Sequence, residues 1–347
     1  MLCYCRHALL TATARPTVAR NSNALGERTR GNCGKGRDRD ARSNLISYIR
    51  KGVCEGYYKA NGPVTIANVK ISKVNQSICM NILKQVPTKC TLRRIFKEAV
   101  FGGRPRCPHC RVTAVWSLKS EERWRCKKCR RAFSIKSCSW LYRSKLSLDT
   151  VWLLLWCWQK EVPIKQTMAL TGISYPTVWV WFKKFRDHIP KERLAVVLEG
   201  AVAADEMFTK QRAVMGAKQK GTRNLALWVL HEKDPNKRHA IEFLSQYVRP
   251  GSDLCTDGGG IYRGIDKHVP VNHSYEVHSK WEFSLTAEIE GVWGCFRTFI
   301  RRMYHHVTSK FLPDLAAEFT LRFRRDEVFN SPRSYIAICF HSDPFAL

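Results

Sequence analysis

Apolar residues recur at helical and strand spacings along much of the chain, and these patterns predict its elements. The centre of SLDTVWLLLWCWQKE is almost wholly apolar, which is typical of a buried helix that begins at Ser147 or Asp149. The segment TLRRIFKEAVF predicts a shorter helix that ends at Gly102 and Gly103. The rest of residues 43–103 shows only weak periodicity, so we expect a poorly defined, partly helical segment there.

The segment PIKQTMALTGISYPTVWVWFKKFRDHI has the pattern of two short helices joined by a turn. Gly172 would make the turn, and the second helix would begin at Ser174 with a proline in its first turn. Its aromatic residues would then face a core, while Lys183, Lys184 and Arg186 would remain outside. We therefore predict a helix-turn-helix DNA-binding region over residues 139–192. An ordinary helical hairpin within a bundle is the alternative.

Strands and helices alternate over residues 196–330, which indicates an α/β domain. Asp205 and Asp257 lie at the ends of two predicted strands, and Glu290 lies in a predicted long helix. Three carboxylates that converge repel one another unless cations lie among them, and hard oxygen ligands favour Mg²⁺ or Mn²⁺. The pattern thus predicts a catalytic metal site; the alternative is that these acids lie on solvated faces.

Three glycines follow Asp257 in the stretch LCTDGGGI. A phosphate-binding P-loop would need the pattern GxxxxGK[ST], which is absent here. We therefore predict that Gly258, Gly259 and Gly260 turn the chain sharply and leave space for a DNA backbone beside the metal ions.

Two CxxC pairs indicate a second metal site. Cys107 and Cys110 precede Cys126 and Cys129 with fifteen residues between the pairs. Two such knuckles joined by a β-hairpin can hold a structural Zn²⁺ with four thiolates, so we predict a zinc ribbon over residues 104–138. Disulfides or a redox motif are the alternatives. The predicted DNA contacts around the knuckles are Lys127, Lys128, Arg130 and Arg131.

The charge of the chain favours a nucleic-acid partner. The 347 residues include 59 Lys and Arg against 29 Asp and Glu, a formal net charge of +30. Lys and Arg that neutralise phosphates release condensed counterions, so double-stranded DNA is the expected partner, with a merely basic surface of the ribosomal kind as the alternative. No apolar run approaches the roughly 18 residues of a membrane-spanning helix, so no membrane contact is expected.

The two ends of the chain have no predicted fold. Residues 1–42 are rich in Arg and small polar residues, which predicts a disordered basic tail; a mitochondrial transit peptide is the alternative. Residues 331–347 are predicted as a C-terminal tail. For a eukaryotic chain we expect a nuclear location.

Several motifs between about residue 88 and residue 330 resemble those of the Merlin-type DNA transposases of animals and their bacterial ISXO-like relatives. They are CPHC with CKKC, GISYPTVWVWF, AADEMF, LCTDGGGIYRGI, HVPVNHS, IEGVWGCFR and YHHVTSKFLPDLAAEFTLRF. The resemblance implies a ribonuclease-H-like catalytic domain, a mixed sheet flanked by helices, over residues 196–330. It also implies cleavage of transposon ends, strand transfer into target DNA and a homo-oligomer.

The resemblance also assigns residues to the site. Asp205, Asp257 and Glu290 match the three acids of the family, and Arg297, where the family often has Lys, keeps a positive charge for DNA. Residues 285–287 read Leu-Thr-Ala where relatives usually have His-Thr-Asn or His-Thr-Gln. The third ligand is then either Glu288 or Glu290, and a decayed or domesticated DNA-binding protein is the alternative function.

Overall fold

A computed structural model describes residues 86–118, 122–275, 286–305 and 307–340. The predictions for residues 1–42, and those for residues 43–85, lie outside these ranges. None of the helices in the described ranges is both long and apolar enough to cross a bilayer.

The N-terminal described part is a helix followed by a small antiparallel sheet. Helix α1 (Lys89–Phe101) begins after Thr88, whose hydroxyl accepts the Thr91 N–H, and ends at Gly102 in the left-handed conformation. Strands β1, β2 and β3 then pair in the order β1-β2-β3. Their bounds are Val115–Leu118, Arg123–Cys126 and Ala132–Phe133. The predicted hairpin between the two cysteine pairs is thus present.

Three helices follow, and they agree with the apolar patterns. Their bounds are Leu148–Gln159 for α2, Ile164–Thr171 for α3 and Tyr175–Asp187 for α4. Helix α2 begins after Ser147, and the turn between α3 and α4 lies at Gly172 with a φ of 68°. Phe182 and Phe185 of α4 are fully buried, as their spacing predicts. The prediction that Arg186 lies outside is wrong: it is buried, because Tyr304 and Glu318 bind its guanidinium. DNA reading by this helix pair stays a prediction.

A mixed five-stranded sheet forms the centre of the C-terminal part, with strand order β6-β5-β4-β7-β8. Strand β5 pairs antiparallel with β4 and β6, whereas β7 lies parallel to β4 and to β8. Strand bounds are Ala201–Phe208 for β4, Ala213–Gln219 for β5, Leu225–Val229 for β6, Asp253–Thr256 for β7 and Asn272–Tyr275 for β8. The apolar pattern did not predict β5, because this almost fully buried strand includes Gly216, Lys218 and Gln219.

Helices cover both faces of the sheet, which makes this an α/β fold of the kind expected for a ribonuclease-H-like domain. Helix α5 (Lys237–Tyr247) packs its side chains against one face of the sheet. Helices α6 (Ala287–Tyr304) and α7 (Leu312–Phe323) lie on the other face. The core on this face continues through α2 and α4 to the zinc ribbon.

A last helix, α8 (Pro332–Cys339), lies within the region predicted as a C-terminal tail. It contacts α1 and α2, and the Phe340 ring that follows it meets the Phe96 ring edge-on at 5.2 Å. Burial of these side chains against the N-terminal helix is a long-range contact that the local pattern does not reveal.

Candidate active site and metal centre

Two of the predicted acids lie side by side at one edge of the sheet. Strands β4 and β7 run parallel, and Ala203 pairs with Cys255. Asp205 and Asp257 lie two residues beyond that pair on their respective chains, so the register places them opposite each other. Asp257 directly follows β7, as expected, but the prediction that Asp205 ends its strand is wrong, because β4 continues in pairing with β5 to Phe208.

The glycine run after Asp257 makes the turn that its sequence predicts. Gly258 has a φ of 73°, a conformation that favours glycine. The next residue, Gly259, donates its N–H to Asp257 Oδ1 at 2.9 Å, and a side chain on Gly259 would meet this oxygen at the same distance. Tyr262, which closes the turn through a hydrogen bond from its N–H to the Gly259 carbonyl, is fully buried. The turn therefore holds the Asp257 carboxylate at the end of β7.

Helix α6 packs against this edge through Trp293. The Trp293 indole N–H donates to Asp205 Oδ2 at 2.9 Å, and the side chain is buried, as predicted. The ring lies directly over Gly216 of β5, where a Cβ would be 2.4 Å from Trp293 Cη2. The missing side chain on β5 is therefore what lets α6 approach the sheet closely enough to contact Asp205.

Glu290 lies about one turn before Trp293 on α6, at the exposed surface. Its Oε1 accepts a hydrogen bond from the Thr286 hydroxyl at 3.1 Å. The pKa of Asp205 is raised by burial first, and then by the negative charges of Asp257 and Glu290. The three acids that the sequence singles out therefore share one electrostatic environment.

Glu288 has a different partner from Glu290. Its carboxylate forms an ion pair with Lys218 of β5 and accepts the Gly221 N–H. The Lys218 ammonium lowers the pKa of Glu288, so this acid is ionised and neutralised within the protein. Leu285 lies outside the described residues, and Thr286 immediately precedes α6. The contacts favour Glu290 over Glu288 as the third acid beside Asp205.

The four predicted zinc ligands form a compact cluster. The sulfur atoms of Cys107, Cys110, Cys126 and Cys129 all lie within 4.8 Å of one another. Two Sγ–Sγ distances are 3.6 Å and 3.3 Å, close to the ~3.8 Å expected for a tetrahedron with Zn–S bonds of about 2.3 Å. Neighbouring His109 is exposed and contacts Arg131 instead, at 2.8 Å. Four thiolates around one point fit a structural Zn²⁺.

Comparison with known protein families agrees with the zinc ribbon and with the class of the C-terminal domain. Residues 197–325 match the ISXO2-like transposase domain, and residues 90–132 match the transposase zinc-ribbon domain. The chain carries an ISXO2-like transposase domain. This confirms the resemblance to ISXO-like transposases, while the Merlin-type branch stays a finer prediction. No curated protein matches the chain significantly.

One solved structure with detectable similarity to this chain is the cryoEM structure of a simian T-cell lymphotropic virus intasome in complex with PP2A regulatory subunit B56 gamma. The identity is 10% and the TM-score is 0.27. The match covers 47% of this chain and 64% of that one, so this chain spans less than two thirds of the viral chain. A similarity this low carries no argument about the fold or the activity.

The predicted DNA contacts of the chain lie in three places. Lys127, Lys128, Arg130 and Arg131 are exposed on the zinc ribbon, and Arg297 is exposed on α6. On α4, Lys183 forms ion pairs with Asp187 and Asp314, and Lys184 lies 5.2 Å from the Trp181 ring centroid. The ribbon cations are therefore more available to phosphates than Lys183. All seven assignments to DNA stay predictions.

Two further polar residues, Glu206 and His273, lie near the acids of the transposase domain. Glu206 follows Asp205 on β4 and so faces the opposite side of the sheet. Burial, together with the negative charges of Asp205 and Asp257, raises the pKa of Glu206 to about 7. The hydroxyl of Tyr262 acts to lower this pKa. Its position next to Asp205 was visible in the sequence, but its burial was not.

His273 lies on β8, next to β7. Its Nε2 is 2.9 Å from the Thr256 hydroxyl, one residue before Asp257, and burial lowers its pKa. The Thr256 hydroxyl of β7 is the hydrogen-bond partner of one ring nitrogen of His273. This contact therefore stabilises the end of β7, which Asp257 directly follows.

Proposed function

We propose that the protein is a DNA transposase that uses divalent metal ions to cleave transposon ends and transfer them into target DNA. The observation that carries the proposal is the convergence of Asp205, Asp257 and Glu290. Strand β4, the end of β7 and helix α6 carry these acids, and burial, followed by the charges of Asp257 and Glu290, raises the pKa of Asp205.

The donor set suits Mg²⁺ or Mn²⁺. All three side chains offer hard oxygen ligands, and their mutual repulsion is relieved when cations lie among them. Bound here, a pair of such ions would stabilise the attacking and leaving oxygens of an in-line phosphoryl transfer. The protein prepares the ligands: Trp293 holds Asp205, Gly259 holds Asp257 and Thr286 holds Glu290.

Double-stranded DNA is the proposed substrate and partner. The net charge of +30 supports binding to a polyanion, and the family of the C-terminal domain supports transposon ends as the specific sequence. A homo-oligomer and a nuclear location in a eukaryotic cell belong to the same proposal, and each needs its own measurement.

Nicking of a duplex that carries the terminal repeats of the element tests this proposal. Purified zinc-loaded protein with Mn²⁺ should produce nicks at the transposon end. Asp257→Asn keeps the shape of the side chain and should reduce the rate at least about a hundredfold, because a metal ligand contributes several kcal/mol to the transition state. Asp266→Asn, at an exposed position on the same segment, is the matched control and should leave the rate unchanged.

A second pair of variants assigns the third ligand. Glu290→Gln should abolish nicking, whereas Glu288→Gln should retain it, because Glu288 is bound to Lys218. Retention of nicking in both Asp257→Asn and Glu290→Gln would refute the metal-dependent mechanism.

One observation favours a second candidate, a transposase-derived DNA-binding protein without nuclease activity. Within the described ranges, the four cysteines are the only group of three or more potential ligands that meets in one compact cluster. This candidate predicts no nicks in Mg²⁺ or Mn²⁺, and the same DNA affinity for the wild-type protein and Asp257→Asn.

A further inference from the structure

A basic groove lies between α1 and the β1–β2 hairpin of the zinc ribbon. Its cavity volume is about 440 Å³, within the roughly 300–1,000 Å³ of ordinary ligand sites. Helix α1 forms one wall, and Pro105 and Ser117 belong to the other. Trp124 lies at its base. None of the three acids proposed for catalysis lines the groove, so it is separate from that site.

The helical wall carries three cations on consecutive turns. Arg93, Arg94 and Lys97 all line the groove, while the opposite face of α1 is buried in the core. Within the described ranges, no carboxylate lies within ion-pair distance of any of the three. Three positive charges close together repel one another, and an anion between them removes that cost. The helix therefore presents a concentrated positive charge to solvent.

Trp124 determines which part of a nucleic acid the groove can accept. The indole is only 5% exposed, and the Phe101 and Phe133 rings pack against it. The Arg93 guanidinium lies 5.1 Å from the ring centroid, in cation–π contact. A base cannot stack on a ring that is already covered. The groove thus offers charge and fixed N–H donors to phosphates, with no aromatic face for bases.

We propose that this groove binds the phosphodiester backbone of double-stranded DNA through Arg93, Arg94 and Lys97. The inference rests on the proposed function, because DNA is the polyanion that a transposase must hold. The match to the transposase zinc-ribbon domain begins at residue 90, so it includes the groove-lining part of α1 together with the cysteine knuckles. Contacts to the backbone hold the ribbon on the duplex without reading its sequence.

A pair of charge-matched variants tests the groove. Arg94→Gln combined with Lys97→Gln removes two charges and retains Arg93, which packs on Trp124. Lys233→Gln combined with Arg238→Gln removes two charges from exposed positions at and before α5, on the opposite side of the sheet. Both variants reduce the net charge equally, so a difference between them reports position. Zinc content and thermal unfolding are measured to show that both remain folded.

Binding to a short random-sequence duplex is followed by fluorescence anisotropy over a series of salt concentrations. Each lost phosphate contact reduces the slope of log K against log salt by about 0.9, and weakens binding about tenfold at ~0.1 M salt. The groove variant should therefore lose about two units of slope, whatever the DNA sequence, and the α5 variant should lose none. Equal effects of the two variants, or no effect of the groove variant, would overturn the proposal.

The same proteins separate this inference from the proposed function. If the wild-type protein binds DNA but never nicks it, and the groove variant binds more weakly, the nuclease proposal is wrong and DNA binding by the groove is supported. If the wild-type protein nicks DNA and the groove variant binds normally, the nuclease proposal is supported and DNA binding by the groove is wrong. Wild-type protein that does not bind DNA refutes both.

Discussion

At the scale of single residues, the candidate active site depends on a close contact between a glycine and a tryptophan. Gly216 on β5 leaves the space that the Trp293 ring occupies, and the indole N–H then reaches Asp205. Asp205 pairs with Gly216 across the sheet, so one strand pair supplies both the acid and the space beside it. A local packing detail thus positions an acid of the proposed metal site.

Gly216→Ala should destabilise the protein and displace α6. The added Cβ would lie 2.4 Å from Cη2 and 2.7 Å from Cζ2 of Trp293, so the helix or the ring must move. Overpacking of this kind costs about 1–3 kcal/mol of the free energy of unfolding. Urea denaturation measures the loss, and near-ultraviolet circular dichroism reports the displaced indole.

Gly294→Ala is the control for that substitution. Gly294 lies within α6, and no atom is within 4 Å of a Cβ built there. Because alanine has the higher helix propensity, this variant should gain up to about 1 kcal/mol. Equal stabilities of the two alanine variants would contradict the packing role of Gly216.

At the scale of elements, a buried polar network joins the C-terminal end of helix α6 to α4, α7 and α2. Arg186 of α4 donates to Tyr304 at 2.8 Å and to Glu318 at 2.9 Å. Arg322 donates to the same carboxylate at 2.8 Å and to the Trp158 carbonyl at 2.6 Å. Burial acts to raise the pKa of Glu318, but the charges of Arg322 and Arg186 outweigh it and lower that pKa.

Glu318→Gln should reduce the free energy of unfolding by about 3–5 kcal/mol, because it leaves two buried guanidinium groups without their counter-charge. Asp314→Asn, on the same helix, breaks an ion pair with Lys183 whose side chains are 38% and 40% exposed. Solvent screens that pair, so the control should lose no more than about 1 kcal/mol. Chemical denaturation compares the two; similar losses would show that the network does not anchor these helices.

At the scale of the whole molecule, the zinc ribbon shares one hydrophobic core with the helices of the transposase domain. Trp124 and Phe133 of the ribbon belong to the same cluster of buried residues as Trp293 and Phe296 of α6. Helix α1 contacts both α2 and the C-terminal α8. Loss of the ribbon should therefore affect the stability of the entire described fold.

Removal of zinc by a chelator should lower the melting temperature in a single cooperative transition. Structural zinc contributes about 10 kcal/mol or more to small zinc domains, and even part of this corresponds to a shift of about 10 °C or more in a protein of this size. Calorimetry before and after chelation measures the shift. Zn²⁺ should restore the original value, whereas Mg²⁺ should not. Two separate transitions, with the second unchanged by chelation, would show that the ribbon folds independently.

Local patterns predicted what depends on neighbours in sequence. The spacing of the four cysteines predicted their cluster, because each CxxC turn presents two thiolates within one knuckle. Helical periodicity predicted α1, α2 and α4. Asp205 and Asp257 were both expected at strand ends; Asp257 directly follows β7, but Asp205 lies within β4, which continues to Phe208. The segment Val214–Lys218 of β5 was missed because its polar residues and Gly216 interrupt the apolar pattern of a central strand.

The sequence by itself therefore determined the zinc ribbon, the apolar helices, the family of the C-terminal domain and the acids to test. Only the tertiary structure decided that Glu288 binds Lys218 while Glu290 accepts from Thr286, that Trp293 occupies the space over Gly216, and that α8 packs against α1. Periodicity records which face of an element is buried. Strand register and the packing of distant elements depend on contacts between residues far apart in the chain, which no local window contains.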